Sequence, residues 1–242
     1  NGIIAKVLKG NNSKSNAEKN RVAVVKYSSS ASDTGFQTNE SWRIDRVSSD
    51  GGTNMAAALA RAESLVNEAI TYNKNNDRQS SLGVIFMTDG LPTVISNGAD
   101  TSTPAGDPYD GVIVHDGSGH RHSYDWNRSQ NAYVVEKNCS TCESKFNATH
   151  NAAVSLKSKL SSFESQELGK GQVVTVGLFN KLDDYNDTYL PKELPYATKL
   201  LQNISTTGQC LTTTNADDLV KLFEQSFEQL LPAASDVVVT DQ

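Results

Sequence analysis

Residues 82–92 read Leu-Gly-Val-Ile-Phe-Met-Thr-Asp-Gly-Leu-Pro, and this stretch decides the fold. Its first seven residues, Leu82 to Thr88, are apolar almost throughout and carry no polar alternation. A strand with one wet face alternates, whereas a strand covered on both faces does not. Residues 82–88 therefore predict a parallel strand in the middle of a sheet with helices above and below. Asp89-Gly90 ends the run with turn chemistry.

Working outward towards the N-terminus, Arg21–Tyr27 (RVAVVKY) is a second apolar, β-branched run that suits a buried strand. Asp50-Gly51-Gly52-Thr53-Asn54 is a tight turn before a long helical pattern, Met55 to about Tyr72. Leu59, Ala62, Leu65, Val66, Ala69 and Ile70 mark its buried face, with Thr53 or Asn54 as the natural cap. Trp42-Arg43-Ile44 is a candidate edge strand, and residues 2–9 read as the tail of an amphipathic helix. Towards the C-terminus come a helix from about Cys142 to Leu160, with Phe146, Val154, Leu156 and Leu160 on its apolar face, and a strand over Gln172–Leu178. A short helix over Tyr196–Asn203, a strand over Gln209–Thr212 and a helix over Ala216–Leu231 follow. Residues 93–137 or so are rich in Gly, Ser, Asp and Pro and read as an insertion, with a small hairpin around Gly111–His115 and Ser123–Trp126. Asp236–Thr240 (DVVVT) reads as a strand opening a different unit, so that 1–232 is one domain and 233–242 the start of a following β-domain or a linker. Alternating strands and helices imply an α/β fold, a Rossmann-like three-layer sandwich around a mainly parallel central sheet. Ligands on such sheets sit at the carboxyl ends of the strands. Here those ends are Ser28-Ser29, the turn at 50–54 and Asp89-Gly90.

The chain has 242 residues and a net charge of −6, with no long run of one sign. Nucleic acid needs a basic face to neutralise phosphates, so it is not an expected partner. No stretch approaches the ~20 apolar residues of a membrane span. Cys139 and Cys142 form a CxxC that does not follow the first strand of a thioredoxin-like unit, which favours a local or structural thiol pair over a redox one. A disulfide between Cys210 and one of that pair is a further candidate. Sequons stand at Asn11, Asn39, Asn127, Asn138, Asn147, Asn186 and Asn203, in keeping with a secreted glycoprotein but not diagnostic in a chain so rich in Asn, Ser and Thr. His115, His120 and His122 cluster in the insertion, where a solvated loop is the simpler reading than a metal cluster. No nucleophile elbow and no Gly-rich phosphate loop is present, so an enzyme is not expected.

Three segments in order, NRVAVVKYSS at 20–29, GGTNMAAAL at 51–59 and VIFMTDGLP at 84–92, resemble the von Willebrand factor A family, and QVVTVGLF at 172–179 is similar to that family's next strand. The resemblance implies an extracellular or cell-surface module that binds a protein ligand of host, matrix or filament origin. It implies a metal-ion-dependent adhesion site that holds Mg²⁺, or Mn²⁺ or Ca²⁺, and accepts a partner's carboxylate. Such a site uses a DxSxS turn, a Thr and an Asp from three loops, because Mg²⁺ demands six hard oxygens. By resemblance Thr53 and Asp89 are metal ligands, with Gly52, Asn54 and Gly90 beside the ligand position. The DxSxS turn and its strand are absent from this chain, which opens within the expected first helix, and the metal is expected only where the full protein supplies that turn. An imitation, Asp116-Gly117-Ser118-Gly119-His120, lies in the insertion and reads rather as a hairpin tip. Without the central strand the sheet would keep two unpaired edges, which predicts a chain that does not fold stably alone. The large insertion is similar to that of tip or surface adhesins of Gram-positive pili. The alternative is a structural subunit of a surface filament or matrix with a vestigial metal site; a recruiting arm of a larger enzyme or metal-insertase complex fits the secretory traits less well.

Overall fold

The computed structural model describes residues 1–45, 51–104, 125–127, 132–134, 140–179, 194–230 and 234–241. A six-stranded sheet forms its centre. In chain order the elements are α1 (Gly2–Leu8), β1 (Arg21–Tyr27), β2 (Ala31–Asp33), α2 (Met55–Asn75), β3 (Ser81–Thr88), β4 (Asp125–Asn127), β5 (Ala132–Val134), α3 (Ser140–Ser165), β6 (Gly171–Leu178), α4 (Leu194–Ile204), β7 (Leu211–Thr213), α5 (Leu219–Leu230) and β8 (Ala234–Asp241). The strand order is β2-β1-β8-β3-β6-β7, and every pairing is parallel except β1 with β2. The fold is thus α/β with a mainly parallel sheet.

Strand periodicity divides the core in two. Ala23, Val25 and Tyr27 of β1 and Leu82, Val84 and Phe86 of β3 point to one face, where they meet α2, α3 and α4. Val22 and Val24, Ile85 and Met87 point to the other, where they meet α1 and α5. All eight residues of β3 are buried, as its unbroken apolar run requires. Helix α2 presents Leu59, Ala62, Leu65, Val66 and Ala69 to the first face at the expected spacing.

Several expectations change. Residues 42–44 form no strand; Trp42 and Ile44 instead lie partly buried against α1 and α5. The sheet edge is β2, antiparallel on β1, extended by one bridge between Val22 and Gln37. Val154 is 45% exposed, because the buried stripe of α3 runs Phe146, Ala153, Leu156, Leu160, Phe163, and position 154 lies about 100° off it. The insertion holds a hairpin, but it is β4 against β5; residues 111–115 lie outside the described residues.

The largest change concerns residues 234–241. The sequence pattern places a strand there, at the opening of another unit. In the structure β8 runs through the middle of the sheet, parallel to both β1 and β3, with Val238 level with Ala23 on one side and Val84 on the other. The gap foreseen between β1 and β3 is therefore filled. The physical reason is the cost of leaving two rows of peptide groups unpaired in a core. A β-branched run of matching length satisfies both rows.

Candidate functional site

Strands β1, β8 and β3 end together at one edge of the sheet, and the loops there are bonded to one another. After β1, Ser28 O accepts from the Asn54 N–H at 2.7 Å. Ser29 Oγ accepts from the Gly52 N–H at 2.9 Å, and Ser29 O accepts from Asn54 Nδ2 at 3.1 Å. The loop before α2 is thereby laid over the end of β1. The loop after β3 joins from the other side: Thr93 Oγ1 accepts from the Thr53 N–H at 2.7 Å, and the Thr93 N–H returns a bond to Thr53 O at 2.9 Å. Tyr27 spans the edge itself. Its hydroxyl donates to Met87 O at 2.5 Å, and its ring stacks on Phe86 with centroids 5.8 Å apart.

The glycines of the loop explain its sequence. Gly51 has φ +93°, a conformation that a side chain resists. Gly52 lies so close to residues 93 and 94 that a Cβ would stand 2.3 Å from Val94 Cγ2 and 2.9 Å from Thr93 Oγ1. Asn54, and not Thr53, is the N-cap of α2, accepting from the Ala57 N–H at 3.0 Å. Its amide also donates to Ser96 Oγ at 3.1 Å. Asn54 is fully buried with both ends of its amide engaged, which makes it a brace of the loops. Thr53 is 8% exposed and relieved of capping. Asp89 is the first residue after β3 and is exposed; Gly90 closes the turn, its N–H donating to Thr88 Oγ1 at 3.3 Å and its carbonyl accepting from that hydroxyl at 3.1 Å.

The structure so brings together the loops that carry Gly52, Thr53, Asn54, Asp89 and Gly90. Sequence reasoning missed Thr93, whose signal no motif carries, and Asp241. The backbone of Asp241 is level with Lys26 at the carboxyl end of β8, between the loops that follow β1 and β3. A strand read as belonging to this sheet would have pointed to it.

The donors offered at this edge are all oxygens, a hydroxyl and carboxylate chemistry that suits a hard divalent cation. Among the described residues, no group of three or more His, Cys, Asp or Glu gathers to hold a metal ion.

Of the remaining candidates, Asn11 is fully buried and its amide donates to Asn20 O at 2.7 Å and Thr38 O at 2.9 Å, so this sequon is sealed inside the fold. Asn147 is also interior, on α3. Asn203 is half-buried, and its Nδ2 finds no hydrogen-bond partner among the described residues. Asn39 is exposed, with its side-chain oxygen accepting from both the N–H and the hydroxyl of Ser41. Asn127 lies in β4; Asn138 and Asn186 lie outside the described residues, as do Cys139, His115, His120, His122 and the imitation turn at 116–120. Cys142 lies in the first turn of α3. Cys210 is a free, half-buried thiol with its sulfur 3.8 Å from Thr198 O, and burial pushes its pKa up, away from reactivity. His150, half-buried on α3, is held below the usual histidine range by burial and then by the Lys157 charge.

No family model matches the chain, and no solved structure matches it. Among the described residues no helix is long and apolar enough to cross a membrane.

Proposed function

We propose that this chain is a von Willebrand factor A-type domain that works by binding, as a non-enzymatic extracellular or cell-surface module with a metal-ion-dependent adhesion site. The observation that carries this reading is the hydrogen-bonded meeting of three loops, after β1, before α2 and after β3, at the carboxyl edge of a mainly parallel sheet. That is where ligands sit on such sheets. Helices on both faces and the fully buried β3 support the fold half of the reading.

Thr53 and Asp89, together with the DxSxS turn expected from the full protein, would hold a divalent cation, Mg²⁺ or else Mn²⁺ or Ca²⁺, all of which take oxygen ligands. Bound there, the cation offers an open coordination position to a carboxylate of a partner protein. The chain's own residues do the rest. Asn54, Thr93 and Ser29 fix the loop that presents Thr53, so that little ordering is left to be done on binding. Gly52 keeps that loop tight against residues 93–94.

A second reading is a structural subunit of a filament or matrix with a vestigial site. Isothermal titration with MgCl₂ and MnCl₂ of the protein with the upstream DxSxS turn included separates the two. The adhesion reading expects saturable binding that weakens at least ~10-fold in Asp89→Ala, with the Asp89→Ala fold intact by circular dichroism. Absence of binding in that protein without substitution leaves the structural-subunit reading.

A further inference from the structure

A cavity of about 430 Å³ lies between α2 and α3, bounded by the loop of residues 96–100. Its helical walls are methyl groups: Ala56, Ala57 and Ala60 of α2, and Ala148 and Ala152 of α3. The spacing of three and four residues puts each set on one side of its helix. An alanine carries nothing beyond Cβ, so these positions leave the space between the helices open. The loop supplies the charge. Asp100 is the only charged residue among the described residues that line the cavity. Its place is fixed from two directions. Asp100 Oδ1 accepts from the Ser102 hydroxyl at 2.6 Å and from the Ser102 N–H at 3.0 Å, while Asn151 Nδ2 of α3 donates to Asp100 O at 3.2 Å. The bonds from Ser102 hold the carboxyl group below its usual range, so it is ionised at neutral pH. At the other end of the loop, Ser96 Oγ accepts from Asn54 Nδ2 at 3.1 Å.

We propose that this cavity is a docking pocket for a basic side chain, lysine or arginine, presented by a partner protein. Charge complementarity selects the occupant. A lysine or arginine lays its aliphatic stem along apolar walls and keeps its charged head polar. Here the five alanines offer the walls, and the Asp100 carboxylate is a counter-charge already in position. The side-chain oxygens of Asn97 and Ser155, which also line the cavity, are acceptors for the remaining donors of the head. An acidic side chain would meet Asp100 with like charge. A wholly apolar one would strip water from the carboxylate and return no bond. The net charge of −6 on the chain adds a field that draws a cationic partner towards it. Pinning of the loop at Ser96 and Asp100 leaves little ordering to be done on binding. Neither Thr53 nor Asp89 lines the cavity, so the pocket stands or falls apart from the metal site.

The test is an NMR titration of the isotope-labelled full chain in EDTA, which removes any metal contribution. The probes are N-acetyl-lysine methylamide and N-acetyl-arginine methylamide. N-acetyl-norleucine methylamide keeps a stem without the charge, and N-acetyl-glutamate methylamide reverses the charge. The expected result is a saturable shift of the backbone amides of residues 56–60, 96–100 and 148–155 with the two basic probes. Asp100→Asn should weaken that binding at least ~10-fold. Ala60→Leu, which fills the cavity from an exposed position on α2, should weaken it as well, so the result does not hang on one variant folding. Glu63→Gln, a carboxylate of α2 that does not line the cavity, should leave it unchanged. The absence of a saturable shift at these residues overturns the proposal. So does equal affinity for the norleucine probe, which would make the pocket an apolar one, and so does undiminished binding of the basic probes in a folded Asp100→Asn chain.

Discussion

On one face of the sheet, α2, α3 and α4 bury Phe86, Phe146, Phe163 and Phe179 in a continuous apolar mass. On the other, α1 has seven residues and α5 twelve, and Val220 of α5 is 67% exposed while Leu219, Leu222 and Phe223 are half-covered. The loops of the candidate site belong to the first face: Asn54 begins α2, and Leu91 joins the same core. The deep face therefore fixes the geometry of the site, while the thin face carries the element that delivers β8.

Substitutions can break that contrast. Phe86→Ala should cost about 3–5 kcal/mol, the range for emptying a close-packed aromatic site, and chemical denaturation measures it. Phe227→Ala, on the thin face beside half-exposed neighbours that can relax, should fall at or below the bottom of that range. Equal losses would remove the contrast. Asn54→Ala should cost about 1–2 kcal/mol through the lost cap alone, with a further loss from the stranded Ser29 carbonyl and Ser96 hydroxyl. If the site geometry depends on the deep face, this variant should also weaken metal binding in calorimetry.

Smaller effects sharpen the picture. His150 has a folded pKa depressed below 6.5, so the unfolded chain takes up its proton first as pH falls. Stability should decline as pH drops below 6.5 towards that lowered value, and the slope of melting temperature against pH there should flatten in His150→Gln. Asp100 acts in a separate window: its carboxylate, held low by the Ser102 hydroxyl and N–H, contributes stability that is lost only on acidification below 3.8. Smallest of all, Val220→Ser should change stability by no more than about 0.5 kcal/mol. A larger loss would mean that the surface around Val220 is covered in solution.

How much of this could be read beforehand depended on whether the signal was local. β3 announced itself because burial on both faces demands apolar residues at every position. Thr53 and Asp89 stood out because a Gly-Gly turn before a helix and a TDG after a buried run each encode a backbone shape. Position 154 was misjudged because Val and Ala are both apolar, and only the neighbouring helix decides that Ala153 faces it. β8 was legible as a strand and illegible as a centre, since three valines specify extended backbone but not which strands lie beside it. Thr93 had no signal at all: its bonds to Thr53 span 40 residues and use a side chain found in any loop.

The bonds at the root of the insertion have an engineering consequence. Thr93 and Ser96 clasp the loop before α2, and a few residues on, Asn151 Nδ2 of α3 donates to Ser102 O at 2.9 Å and to Asp100 O at 3.2 Å. Residues 93–102 thus form a socket held by two helices, and α3 begins at Ser140. A group attached to an exposed residue of this stretch would therefore be held beside the candidate site by bonds to the loop before α2 and to α3.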